Sequence, residues 1–294
     1  MFMIDKNKLE FSLWKFFTKV VHIIGRERIP VLAKILAIIF FYLIPIRKKI
    51  VISNLTKAFP EKSKSEIKKI AFNNFMSIGI TFMEIMAFRE MTGEEILSLS
   101  GINNLDVAKK IVNSDKGSIL LTAHVGNWEL GALTMGLSLD KQINVLVKKQ
   151  RNHLVANWMN EVREKFTNKE VPLGASVREL YKTLIDGGIV GIVGDQRGKK
   201  EDGVTVNFFN RPTVTFQGFA ALGIKNKVPI VVVLNKRLPS GKYLFDIEEI
   251  KYDNLPEKLS DQLVELNQRY MTILENKIRE APEQWLWMHN IWKY

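Results

Sequence analysis

The pattern of apolar and polar positions changes near residue 117. Before residue 117, apolar residues recur every three or four positions, the spacing that places them on one face of a helix. This predicts a mostly helical stretch over 51–113, with a helix that Ser63 or Ser65 caps and that runs to about Phe88. After it, short β-branched runs alternate with helical stretches. The alternation favours an α/β fold with a mixed, largely parallel sheet flanked by helices on both faces.

The elements of this second part follow one another without an internal repeat or a low-complexity linker. Strands are predicted at 118–123, 143–147, 189–194 and 229–234, and 243–250 is predicted to add an edge strand. Helices are predicted at 128–139, 152–166, 175–187, 215–226 and 257–280.

The first 50 residues have a different pattern. The charge-free run 35–46 is shorter than the ~20 apolar residues that a spanning helix needs. Residues 11–21 mix bulky apolar side chains with lysine, which is typical of a helix at a membrane surface. We predict a membrane-associated helical segment over 1–50, monotopic or with a single span, and a second domain over 51–294. The alternative is a buried core helix with a second helix packed on it.

Composition limits the chemistry and the partners. The 294 residues include no cysteine, which excludes disulfides, thiolate nucleophiles and Cys-ligated metals. The net charge of +12 favours nucleic acid, an anionic membrane surface or an acidic protein. The apolar N-terminal region and the lack of a recognisable nucleic-acid motif argue against nucleic acid. Neither GxGxxG nor GxxxxGK[ST] occurs, which disfavours a nucleotide-dependent enzyme.

The strongest chemical signal is the segment 124–129, directly after the first predicted strand. In a continuous helix, His124 and Glu129 would lie about 140° apart and could not meet. They meet only if His124 lies on a strand-to-helix turn, which Gly126 permits, and if Asn127 caps the helix. Glu129 would then orient one imidazole nitrogen and leave the other as a general base. The alternative is a surface histidine in a loop.

Two further candidates follow predicted strands. Asp195 and Arg197 follow the third strand, at the rim where open α/β sheets bind ligands. Lys148 follows the second strand, in a basic cluster over 148–153. The first pair can equally be a salt bridge in a turn, and the cluster can equally be a solvated loop.

Two more segments complete the candidates. In the loop 208–213, the planar fork of Arg211 suits phosphate or carboxylate, although it can equally be an ordinary loop arginine. Residues 282–289 are predicted to form an aromatic helix that packs on the sheet.

Four motifs, in this order, resemble those of the bacterial lipid A biosynthesis (lauroyl/myristoyl) acyltransferases, within the wider lysophospholipid acyltransferase group. They are T-A-H-V-G-N-W-E (122–129), G-D-Q-R (194–197), F-F-N-R-P-T (208–213) and P-E-Q-W-L-W-M-H (282–289). The resemblance runs from about residue 50 to the C-terminus, and the membrane segment is also where that family has one.

The resemblance implies a membrane-bound O-acyltransferase. It would move a fatty acyl chain from an acyl thioester, on acyl-carrier protein or coenzyme A, to a hydroxyl of a lipid A precursor or similar anionic glycolipid. His124 would deprotonate the hydroxyl and Glu129 would orient His124. The enzyme would work at the cytoplasmic face of the inner membrane, and no metal or bound cofactor is expected.

The remaining candidates receive binding roles. Arg211 would contact the acceptor phosphate, and Asp195 and Arg197 would shape the acceptor site. Lys148 and Asn127 are also assigned to substrate binding, and the backbone amides near 126–127 are our hypothesis for the oxyanion donors.

The chain departs from the family pattern in three places. Lys148 and Lys149 stand where the family commonly has arginine and proline, Asn210 where glycine is frequent, and Phe219 where proline is frequent. These departures keep a lysophospholipid or another glycolipid open as the acceptor. The sequence is also compatible with a hydrolase, in which water takes the place of the acceptor, and with a non-catalytic membrane-binding protein.

Overall fold

The computed structural model describes residues 5–113, 116–148, 150–174 and 177–293. Its centre is a seven-stranded sheet in the order β1-β9-β8-β2-β5-β3-β4, in which β8 and β9 form the antiparallel pair and the other neighbours are parallel. The predicted α/β class, with a mixed and largely parallel sheet, is confirmed. The strands are β1 (Ser100–Asn103), β2 (Ser118–Thr122), β3 (Ile143–Val147), β4 (Asn168–Pro172), β5 (Ile189–Val193), β8 (Ile230–Arg237) and β9 (Tyr243–Ile250), and a separate hairpin is formed by β6 (Gly203–Phe208) and β7 (Arg211–Phe216).

Helices cover the sheet on both faces, and apolar clusters fill the two layers between them. The helices are α1 (Lys6–Ile24), α2 (Ile29–Ile38), α3 (Lys48–Ala58), α4 (Lys64–Phe88), α5 (Gly93–Ser98), α6 (Leu105–Val112), α7 (Trp128–Leu139), α8 (His153–Lys165), α9 (Val177–Ile185), α10 (Gly218–Asn226) and α11 (Leu259–Glu280).

The predicted helix over 63–88 is confirmed together with its cap. The backbone N–H of Glu66 donates to the Ser63 hydroxyl at 3.3 Å, and the Glu66 carboxylate accepts from the Ser63 backbone N–H at 2.9 Å. This reciprocal capping box satisfies two amides that a helix start otherwise leaves unpaired.

The centre of the sheet sets the position of the loops that follow it. The sequence of β2, Ser-Ile-Leu-Leu-Thr, is buried almost throughout, as expected for a strand covered on both faces. The strand pairs in parallel with β5, and the last pair in register is Thr122 with Val193. The loops after β2 and β5 therefore leave the carboxyl edge of the sheet side by side.

The predicted elements differ from the structure in several places. Residues 243–250 form a strand as predicted but not an edge strand, because β1 pairs outside β9. β1 lies in a stretch predicted as helical, and its four residues are too few to carry a period. Residues 215–216 belong to β7 and not to the helix predicted at 215–226. For the helix predicted at 175–187, residues 175–176 lie outside the described residues.

The N-terminal helices pack on α4. A Cβ atom built at Gly79 of α4 would lie 3.4 Å from Cβ of Ala33 in α2, so these two helices approach closely. α1 packs on both α4 and α8, and Trp14 meets Trp158 edge to face with ring centroids 5.3 Å apart. The outer sides of α1 and α2, with the turn that follows α2, remain apolar and exposed. We call this surface the N-terminal apolar face: Leu9, Leu13, Phe16, Ile23, Val31, Ile35, Ile38, Tyr42, Leu43, Ile44 and Ile46.

The described residues contain one helix that is long and apolar enough to cross a membrane, which is α4. Of its most apolar 18-residue stretch, 56% is buried inside the protein. A second candidate is the pair Arg26–Leu43 and Lys48–Ala58, which bends by 95° at the break. The first member, Arg26–Leu43, is about 27 Å long at 1.5 Å per residue, slightly shorter than the ~30 Å hydrocarbon core.

A buried polar network ties α4 to the turn after β2. The carboxylate of Glu84 accepts hydrogen bonds from Nδ2 of Asn127 at 2.9 Å and from the hydroxyl of Tyr243 at 2.5 Å. Arg26 and Arg237 lie 3.7 and 3.9 Å from the same carboxylate. Glu84 is buried, and these four partners offset the cost of removing its carboxylate from water.

We predict that Glu84→Gln lowers the free energy of unfolding by about 3–5 kcal/mol, because it removes a buried carboxylate and leaves the half-buried charges of Arg26 and Arg237 without their counter-ion. Urea unfolding followed by circular dichroism measures this loss. The matched control is Glu161→Gln, which removes an exposed ion pair with Arg89 and is expected to cost less than about 1 kcal/mol. Equal losses in the two variants would contradict the assignment of the network as a structural support.

Candidate active site

His124 follows β2 and Asp195 follows β5, and the parallel pairing brings the two side chains into contact. Nδ1 of His124 lies 2.7 Å from Oδ1 of Asp195, and the backbone N–H of His124 donates to Oδ2 at 2.9 Å. The indole N–H of Trp285 donates to the same Oδ2 at 2.8 Å. An ionised carboxylate only accepts, so the proton of the neutral imidazole lies on Nδ1 and Nε2 is the basic nitrogen.

The surroundings of this pair shift both pKa values. Burial is the largest influence on the pKa of His124 and acts to lower it, but the charge and hydrogen bond of Asp195, with the charge of Glu129, outweigh burial and raise the pKa. Burial acts to raise the pKa of Asp195, and the charge of His124 with the hydrogen bonds from His124 and Trp285 lowers it instead. The site therefore combines an ionised carboxylate with an imidazole whose protonated form is stabilised.

Glu129 has a different partner from the one that the sequence suggested. Its two carboxylate oxygens accept from Nε and Nη2 of Arg163 on α8 at 2.9 and 2.5 Å, and Nη1 of Arg163 donates to Glu170 on β4. The predicted direct hydrogen bond between Glu129 and His124 is wrong, because the first turn of α7 directs Glu129 toward α8 while Asp195 occupies Nδ1. Glu129 acts on His124 through its charge.

The turn between His124 and α7 is tightly fixed. Gly126 has φ +60°, and a Cβ atom at this position would lie 2.2 Å from Oδ1 of Asn235, so the turn requires glycine. The amide of Gly126 donates to the carbonyl of Gln284 at 3.0 Å, and the amide of Asn127 donates to Oδ1 of Asn235 at 2.9 Å. The hypothesis that these two amides are the oxyanion donors is wrong, since both are already paired.

Asn127 belongs to the support of the turn. Its Oδ1 accepts from the backbone N–H of Leu130 at 3.1 Å, which confirms the predicted helix cap. Its Nδ2 donates to Glu84, and the residue is fully buried. The Asn127 side chain is therefore not accessible to a substrate, contrary to the prediction that it binds one.

The C-terminal segment packs against the backbone that carries His124. Residues 282–289 do not form the predicted helix: a short 3-10 turn, Pro282–Gln284, is followed by an isolated bridge at Trp285 and a turn over 287–288. We call residues 282–293 the C-terminal strap. Trp285 forms an antiparallel bridge with Val125, and the amide of Leu286 donates to the carbonyl of His124 at 3.0 Å. The strap therefore holds the backbone that carries His124.

The loop that carries Asp195 is fastened to the same strap. The backbone N–H of Arg197 donates to Nε2 of His289 at 3.0 Å, and its Nη1 donates to the carbonyl of Asn290 at 3.1 Å. Burial lowers the pKa of His289, and the charges of Arg197 and His124 add to this against the charge of Asp195. His289 is therefore a neutral acceptor.

Sequence reasoning did not assign Trp285 or His289 to the site, nor Tyr270 of α11, whose hydroxyl donates to the carbonyl of Thr122 at 2.8 Å. Two of the three, Trp285 and His289, lie in the motif 282–289, which is predicted above only to pack on the sheet. The ring nitrogens of these two side chains, which can form hydrogen bonds, were the available signal.

The other basic candidates lie farther from this pair. Arg211 begins β7 after a turn in which Phe209 and Asn210 have φ of 52° and 55°. This left-handed turn explains how asparagine can replace the frequent glycine. The exposed side chain of Arg211 donates from Nε to the carbonyl of Lys57 at 3.0 Å. Lys148 is exposed at the end of β3, one strand beyond β5, and Lys149 lies outside the described residues.

The described residues contain no cluster of three histidine, aspartate or glutamate side chains arranged to hold a metal ion. The chemistry that the site can perform with its own residues is proton transfer at Nε2 of His124, supported by Asp195.

Comparison with known proteins identifies the family of this chain. Residues 6–294 match the model of the family described as bacterial lipid A biosynthesis acyltransferase. The lipid A biosynthesis lauroyltransferase of Escherichia coli (strain K12) is 25% identical over 251 residues, which are 84% of this chain and 79% of the relative. The palmitoleoyltransferase of the same organism and the lipid A biosynthesis acyltransferase of Shigella flexneri are each 25% identical over 250 residues, with the same shares covered. Because the family model spans nearly the whole chain, the protein belongs to the bacterial lipid A biosynthesis acyltransferase family.

Proposed function

We propose that this acyltransferase moves a fatty acyl chain from a thioester of acyl-carrier protein or coenzyme A to a hydroxyl of a lipid A precursor or similar glycolipid. The observation that carries the proposal is the contact of His124 with Asp195 at the carboxyl edge of the sheet, in a chain of this family. Two relatives are named for lauroyl and palmitoleoyl transfer, which supports a fatty acyl donor.

His124 serves as the general base. Its Nε2 takes the proton of the acceptor hydroxyl while the hydroxyl oxygen attacks the thioester carbonyl carbon. The tetrahedral intermediate then collapses, the C–S bond breaks, and the leaving sulfur takes the proton back from the imidazolium. Asp195 accepts from Nδ1–H throughout and stabilises the imidazolium. Glu129, held in place by Arg163, adds negative charge that favours the same protonated form.

The N-terminal apolar face rests in the cytoplasmic leaflet of the inner membrane as a monotopic contact. Supporting this, α1 is fastened at both ends to the edge that carries His124. Nδ2 of Asn152, next to β3, donates to the carbonyl of Asn7 at 3.0 Å, and Arg26 donates to the carbonyl of Gly241, in the turn after β8, at 2.9 Å. Lysines among the exposed apolar residues of α1 suit anionic lipid headgroups.

Arg211 contacts the acceptor phosphate. It stands beside α3 at a cleft of about 240 Å³ between α3 and the C-terminal strap, whose lining includes Lys49, Lys57 and Lys293. Arg197 shapes the neighbouring surface, and Lys148 adds positive charge at the same edge of the sheet. These cations favour an acceptor with several negative charges over a neutral lipid.

Expression of the protein in cells that lack their own late lipid A acyltransferases tests the reaction. We expect the wild type to add one acyl chain to a lipid A precursor, measured by mass spectrometry of extracted lipids. His124→Ala, at an equal level in the membrane fraction, is expected to lower the product by about 10²–10⁴-fold, because the base is lost.

Different results would select different functions. Equal product with both proteins would remove His124 as the base. A chain added to a lysophospholipid would replace the acceptor, released fatty acid would indicate a hydrolase, and no change in any lipid would favour a non-catalytic membrane-binding protein.

The pH dependence tests the role of Asp195. The reaction needs neutral His124, so kcat/KM falls as pH falls through the pKa of His124. Burial acts to lower this pKa and Asp195 raises it, so Asp195→Asn is expected to move the acid limb of the profile to lower pH. The same change is expected to lower kcat/KM by about 10²–10⁴-fold, since Nδ1–H loses its charged acceptor.

Glu129→Gln is the matched comparison, because it also replaces a carboxylate with an amide near His124. We expect it to move the acid limb in the same direction by less, since Glu129 acts on His124 through charge alone. If Glu129→Gln gave the larger shift, the assignment of Asp195 as the orienting carboxylate would fail.

A further inference from the structure

The imidazole of His124 has one polar and one apolar neighbour. Asp195 holds Nδ1, and on another side the ring of Trp128 packs against the imidazole with centroids 4.9 Å apart and planes at 67°. Trp128 is the first residue of α7 and is half-buried. Atoms that reach Nε2 of His124 therefore meet a large aromatic surface next to the reacting centre.

The aromatic surface continues away from His124. The ring of Phe82, on α4, meets Trp128 edge to face with centroids 6.4 Å apart. Phe82 is 44% exposed, and among the large apolar residues of α4 it alone is this exposed. Phe82, separated from His124 by the ring of Trp128, therefore offers apolar surface that the protein itself does not cover.

Phe82 lies on α4, the helix against which α1 and α2 pack. One turn earlier in α4, Gly79 lies against Ala33 of α2. Met83, the residue after Phe82, lies in the buried cluster that joins α4 to Val21 of α1 and Ile29 of α2. An aromatic surface therefore leads from His124 over Trp128 to Phe82, on the helix against which α1 and α2 pack.

We infer that Trp128 and Phe82 form the surface along which the acyl chain lies while its thioester carbonyl is at His124, and that Phe82 contributes to the choice of chain length. The inference rests on the proposed function and assigns to it two specificity-determining residues. The first methylene groups contact Trp128, later ones contact Phe82, and the end of the chain points toward the N-terminal apolar face.

Chain-length selectivity follows from this geometry. Each methylene group that leaves water favours binding by about fourfold. A chain that ends at Trp128 gains nothing from Phe82, whereas a longer chain covers both rings. Removing the Phe82 ring should therefore weaken the use of long chains and leave that of short chains nearly unchanged.

The test is a competition assay with the full-length protein in phospholipid vesicles and a lipid A precursor as acceptor. Octanoyl, lauroyl and palmitoyl thioesters are mixed in equal amounts, on whichever carrier supports the wild-type reaction, and products are resolved by mass spectrometry. We expect Phe82→Ala to lower the ratio of palmitoyl to octanoyl product by about fourfold or more. Phe82→Leu should give an intermediate ratio.

Leu259→Ala is the matched control, because it removes an exposed apolar side chain from α11, outside the proposed route, and it should leave the ratio unchanged. An unchanged ratio in Phe82→Ala, or an equal loss of all three products, would overturn the inference while the proposed function stands. If the wild type acylated the precursor with none of the three chains, the proposed function and this inference would fall together.

Discussion

The parallel pairing of β2 with β5 is the constraint on which the site depends. It fixes Thr122 opposite Val193, and two residues farther along each chain His124 and Asp195 meet at hydrogen-bond distance. A register shift of two residues would move Asp195 by about 6.6 Å, beyond the reach of the imidazole. His124 and Asp195 are thus positioned by the backbone hydrogen bonds of the sheet, which are less adjustable than a flexible loop.

Segments far apart in the chain then immobilise the turn. The carbonyls of Trp285 and Trp287 in the C-terminal strap accept from Asn74 on α4 and Asn54 on α3, and the strap in turn accepts from Gly126 and donates to His124. In the same turn, Glu84 accepts a hydrogen bond from the side chain of Asn127, and Asn235 accepts one from the Asn127 backbone N–H. Polar contacts of this kind keep the His124 imidazole in one orientation.

The site separates polar from apolar surroundings around one imidazole ring. Asp195 and the charge of Glu129 stabilise the protonated ring, while the ring of Trp128 contacts it edge to face. This division suits a reaction between a charged, hydroxyl-bearing acceptor and an apolar acyl chain. The cleft beside Arg211 and the N-terminal apolar face extend the same division over the protein surface.

The sequence by itself determined the α/β class, the strand that precedes His124, the glycine turn and the cap at Asn127, because hydrophobic periodicity and turn chemistry are local properties. It also determined the family, since its four motifs appear in order along the chain. It did not determine which carboxylate meets His124. Glu129 is five residues away and Asp195 is 71, yet strand order brings Asp195 to Nδ1 and the direction of α7 turns Glu129 to Arg163. The same holds for the strap, β1 and the paired amides of the turn: each is settled by contacts between distant segments, and only the tertiary structure brings those segments together.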